Sequence, residues 1–94
     1  MTNKERINRA WIIWGRIWPP TLGERVRVFH PKDLRGRVAK VVATAEQKSK
    51  AANRKPGPGK VRVMVKAAGE PMQFNVGKHD VFPSGLTLKQ LLTD

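Results

Sequence analysis

Valines alternate with cations in two separate runs of this chain, Arg25-Val26-Arg27-Val28 and Lys60-Val61-Arg62-Val63-Met64-Val65-Lys66. Period two is the repeat of a strand, whose successive side chains point to opposite faces. The pattern predicts two half-buried strands, with valines on a shared inner face and cations on the outer one. A small β domain with a basic exterior follows, closer to a binding module than to a catalyst.

Around these runs the period changes several times. Residues 2–18 predict a helix: Thr2-Asn3-Lys4-Glu5 fits a capping box, and Ile7, Trp11, Trp14 and Trp18 recur at steps of four, three and four. Ile12, Ile13 and Ile17 widen its apolar surface, and Pro19-Pro20 is expected to stop it. Glu24 to Phe29 reads as a first strand, closed by a turn at His30-Pro31-Lys32-Asp33. Gly36 to Thr44 reads as a second, with Val38, Val41 and Val42 as its apolar positions. Alternation fails between Val38 and Val41, which predicts a bulge there. After a third strand, Lys60 to Lys66, the segment Ala67-Ala68-Gly69-Glu70-Pro71 predicts a hairpin turn into a fourth at Met72 to Val76. Val81-Phe82 suits a short fifth strand or a single 3₁₀ turn. Thr87-Leu88-Lys89-Gln90 is a second capping box, opening a helical turn over Leu88 to Leu92. The expected organisation is an N-terminal Trp-rich helix within residues 1–20 and a mainly β domain over 21–94, with a flexible basic loop at 45–59.

Charge sharpens this picture. The 94 residues carry 19 Lys plus Arg against 7 Asp plus Glu, a formal charge of +12. That imbalance points to a polyanionic or acidic partner, since self-repulsion opposes a compact state unless anions offset it. The absence of cysteine excludes a disulfide framework, a thiolate zinc site and a cysteine nucleophile. The first apolar cluster, Ala10 to Trp18, is broken by Gly15 and Arg16 and is far shorter than the ~20 residues of a membrane span. It also lacks a cleavage site for a signal peptide. A cytoplasmic protein is expected.

The run Gly23-Glu24-Arg25-Val26-Arg27-Val28, followed by Gly36-Arg37-Val38-Ala39-Lys40-Val41, resembles the KOW type of SH3-like small barrel. The resemblance implies a five-stranded SH3-like barrel whose sheet face and loops contact RNA or protein, as in ribosomal proteins and transcription elongation factors. The stretch Val26-Arg27-Val28-Phe29-His30-Pro31 is also similar to SH3-like barrel subunits of photosynthetic electron-transport complexes. That second resemblance implies docking of a redox carrier.

Two groups of cations form the candidate interface. Arg25, Arg27, Arg37, Lys60 and Arg62 are expected to point outward from three strands, where neighbouring strands ~4.8 Å apart suit successive phosphates. Lys48, Lys50, Arg54 and Lys55 lie in the loop and suit a mobile arm that closes on a nucleic-acid backbone. The competing reading of both is a solvated, edge-protecting charge. For Trp11, Trp14 and Trp18 three roles stand side by side: packing against the barrel, binding a partner or a second copy, and lying at a membrane surface. His30 and His79 belong to no catalytic or metal-ligand motif. The reading is therefore a non-catalytic nucleic-acid-binding protein without cofactor or metal, RNA and DNA being equally compatible. Its rival is a docking subunit for an acidic protein partner such as a redox carrier.

Overall fold

The computed structural model describes residues 2–16, 18–67 and 69–93. A helix, α1 (Asn3–Ile13), leads into five strands: β1 (Arg25–Val28), β2 (Val38–Ala43), β3 (Lys60–Ala67), β4 (Glu70–Gly77) and β5 (Val81–Pro83). A short helix, α2 (Leu88–Leu92), follows. The strands make one open antiparallel sheet in the order β4-β3-β2-β1-β5. The protein is thus mainly β, and Val81-Phe82 belongs to a strand.

The valines behave as their period requires. Val26, Val28, Val61, Val63 and Val65 are all buried, in one cluster with Val41, Val76, Val81, Phe29 and Phe82. Helix α1 covers part of this cluster with Ile7, Ala10 and Trp11, and the Trp11 indole Nε1 donates to the Val81 carbonyl at 3.0 Å. That bond ties the helix to β5 and satisfies the one polar atom of a buried indole. The C-terminal capping box forms as expected: Thr87 Oγ1 accepts from the Gln90 amide and the Gln90 side chain from the Thr87 amide.

The structure departs from expectation in local detail, and the hairpin turn expected over residues 67–71 is tighter, since Ala67 still pairs with Glu70. Helix α1 ends at Ile13, not at Trp18, because Gly15 takes φ +61°. Its N–H bonds the Ile12 carbonyl and the Arg16 N–H reaches back to the Trp11 carbonyl, each at 3.1 Å. This is the left-handed glycine termination that satisfies the last orphan carbonyls, so the stop precedes the two prolines. Ile17, part of the expected helix, lies outside the described residues, as does Ala68 of the expected hairpin turn. In β2 the register shift falls between Val41 and Ala43, one step later than the failed alternation suggested. Ala39 and Val41 face the core, whereas Val38 is 44% exposed.

The segment expected as a flexible loop is attached along its middle. The Ser49 N–H donates to the Val42 carbonyl at 2.9 Å, and Ala43 and Lys48 form an isolated antiparallel bridge. Ala52 is buried in a small second cluster with Val42 and Ala43, and Met64 packs against it. Two consecutive β2 residues reach this cluster because the bulge turns both to the outer side of the sheet.

Candidate nucleic-acid interface

Register assembles the outer face row by row, because directly paired residues share a side of the sheet. Arg25 stands opposite Lys40, Lys40 opposite Met64, and Met64 opposite Gln73. Arg25 and Lys40 are both exposed. Like charges directly opposite each other are unfavourable, and no other member of this row carries an acid. The neighbouring carboxylate of Glu24 is turned away and accepts the Thr21 N–H at 3.1 Å. The row therefore holds two adjacent cations without an anionic neighbour in register.

The basic loop lies on this same side. Its Asn53 N–H donates to Gln73 Oε1 at 3.1 Å, while Gln73 Nε2 donates to the Ala51 carbonyl. Gln73 ends the Arg25–Lys40 row, so the loop is pinned two strands from Lys40. Lys50, Arg54 and Lys55 are exposed on it. The exposed Lys48 donates through Nζ to the Ala52 carbonyl at 3.3 Å, closing the loop on itself.

Two arginines expected on the open outer surface are not there, and both have structural work. Arg62 is only 8% exposed. Its Nε donates to Gln73 Oε1 and its Nη1 to Asn75 Oδ1, both at 2.8 Å. Arg62 thus orients the glutamine that grips the loop. It is hidden because the loop and the Ala52 cluster cover the part of the outer face where it stands. Arg27 is half-buried and donates to three backbone carbonyls: Gly36 at 2.8 Å, Leu86 at 3.1 Å and Ser84 at 3.2 Å. Its planar fork fastens the β1–β2 connection to the segment between β5 and α2.

Arg37 is exposed just before β2, and its carbonyl accepts the Val28 N–H. Lys60 is exposed at the start of β3. With Lys78 it lines a cleft of about 320 Å³ beside Pro20, Thr44 and Glu46. Of the candidate cations, the structure brings Arg25 and the loop group to one face and assigns Arg27 and Arg62 to internal bonds. Lys40 was missed in sequence. Its signal was there, as a cation alternating with Ala39 and Val41, but its pairing with Arg25 depends on a connection that crosses a 3₁₀ turn at Lys32–Leu34.

The tryptophans divide. Trp11 is buried and belongs to the core, which removes it from any partner surface. Trp18 is half-buried: its Nε1 donates to the Lys78 carbonyl at 2.9 Å and its ring meets His79 at 4.5 Å between centroids. Trp14 is 43% exposed. Partial burial and the Lys4 and Lys78 ammonium groups lower the His79 pKa below the usual imidazole value, and Asp80 opposes them. His79 Nδ1 lies 3.3 Å from Asn8 Oδ1. His30 is elsewhere, with its Nδ1 3.2 Å from Arg35 Nη2. No helix among the described residues is long and apolar enough to cross a membrane. No family model, curated protein or solved structure matches this chain.

Proposed function

We propose that this protein is a small non-catalytic module of the cytoplasm that binds nucleic-acid backbone, built as an SH3-like barrel. The order β4-β3-β2-β1-β5, in which a four-strand meander is followed by β5 returning beside β1, and the bulge in β2 support the barrel half of this reading. The observation that carries the binding half is the Arg25–Lys40 pair, two exposed cations opposite each other and without an acid in their row. A phosphate arriving between them converts a repulsion into two charge-assisted contacts. The loop cations Lys50, Arg54 and Lys55 extend the positive surface beyond Gln73. Backbone contacts of this kind position a strand without reading its bases.

The test is a titration of labelled single-stranded RNA and duplex DNA at two salt concentrations, on protein freed of nucleic acid in high salt. The logarithm of the affinity should fall linearly with that of salt, by about 0.7 per phosphate contact for single strands and about 0.9 for duplex. Reversing Arg25→Glu and Lys40→Glu together should flatten that slope by roughly two contacts. Absence of binding at low salt refutes the reading, and the preferred nucleic acid assigns RNA or DNA.

A further inference from the structure

We propose that the exposed flank of α1 is a docking site for an acidic amphipathic helix of a partner protein. Arg9, Ile12 and Ile13 follow at i, i+3 and i+4, the spacing that places side chains along one helical flank, and Arg16, just past the Gly15 stop, lies beside Ile12 and Trp18. Ile12 is 79% exposed and Ile13 65%, with an exposed arginine before and after them. Between α1 and α2 runs a groove of about 220 Å³, lined by Arg9, Ala10, Ile13, Trp14, Leu86 and Leu91. Trp14 is held in place there: a Cβ on Gly85 would fall 2.8 Å from Trp14 Cζ3, so the indole rests on the Gly85 backbone. It is an aromatic that is fixed on one side and open on the other, the kind of group that dominates interface energetics.

Charge and shape select the occupant. Among the described residues neither this groove nor the neighbouring one, which includes Ile12, Arg16 and Trp18, is lined by a carboxylate. A partner helix with apolar residues at i, i+3, i+4 and i+7 lays a ridge into the groove, and glutamates flanking that ridge meet Arg9, which lines it, and Arg16, which lines the neighbouring groove beside Ile12. A second copy of this chain suits the site poorly, since a two-fold contact brings together the same arginines of two chains of charge +12. A flat lipid surface does not fill a concave groove, and α1 has only 11 residues to lay on it.

The probe is a labelled synthetic helix with leucines at those four spacings and glutamates on both flanks, compared with a twin whose glutamates are lysines. Saturable binding of the acidic helix alone is expected. Ile13→Asp, at an exposed position, should weaken it by about tenfold or more while the far-UV circular dichroism matches the parent protein. Gly85→Ala should weaken it by displacing Trp14. RNA titration of Ile13→Asp should match the parent protein, because the groove shares no residue with the Arg25–Lys40 row, so the two readings fail separately. The proposal is overturned by no saturable binding, by equal binding of both helices, or by an Ile13→Asp variant of unchanged affinity. It is also overturned by a concentration-dependent dimer that Ile13→Asp abolishes, or by binding to phosphatidylserine vesicles in preference to the acidic helix.

Discussion

Arg25 and Arg27 are two residues apart in one strand, yet their replacement by methionine should have opposite effects. Arg27 donates to the carbonyls of Gly36, Ser84 and Leu86. Hydrogen bonds to a charged group contribute about 1.5–3 kcal/mol each, so three amount to roughly 4–5 kcal/mol at the low end. Methionine keeps most of the aliphatic stem and relieves a partly desolvated charge, and water reaches some of the freed carbonyls. These gains return about 1–2 kcal/mol, leaving a net loss near 3 kcal/mol. For a domain of this size about 4–8 °C is lost per kcal/mol, hence a fall in Tm of roughly 12–24 °C. Arg25 is exposed and makes none of these bonds, so Arg25→Met should stay within about 0.5 kcal/mol of the parent. It should instead lower the salt slope of RNA or DNA binding by about one contact. Calorimetric unfolding and salt-resolved titration of the two variants check both halves. An Arg27→Met protein that keeps its Tm and loses nucleic-acid affinity would refute the assignment of this guanidinium to internal fastening.

Three further outcomes are expected. Arg62→Met should release Gln73 and, through it, the loop, destabilising by about 1–3 kcal/mol; hydrogen exchange at the Asn53 amide should accelerate beyond the global change, and equal acceleration throughout the sheet argues against a local tether. His79 has a lowered pKa when folded, so the unfolded chain binds more protons between that value and about 6.5. Stability should therefore fall as pH drops through this window and stay level above it; His79→Gln should flatten the Tm–pH curve, and an unchanged curve excludes the residue as its source. Gly36 has φ +85°, and a Cβ there would sit 3.6 Å from Leu88 Cδ2, an ordinary contact. Gly36→Ala should accordingly lose about 1–2 kcal/mol from the left-handed backbone alone, seen as a lower denaturant midpoint with unchanged m.

Much of the β architecture was legible before any coordinates. The inner valines, the length of β3 and both threonine N-caps followed from period and local chemistry, because each involves residues within a few positions of one another. The helix stop at Gly15 was also written locally, but glycine and proline both signal an end, and only the backbone bonds to Trp11 and Ile12 choose between them. The candidate interface was less legible. Alternation distinguishes inward from outward, not exposed from covered. Arg62 has the outward parity of its strand and is still buried, because a segment about ten residues upstream folds over it.

By itself the sequence determined a basic, mainly β chain with one apolar sheet face, since strand periodicity and charge are properties of neighbouring residues. The tertiary structure alone decided which cations remain available. Arg27 meets carbonyls nearly sixty residues away, Arg25 meets Lys40 across a ladder, and Trp14 rests on Gly85. These partners are distant in the chain, and no local preference encodes the register or packing that brings them within contact.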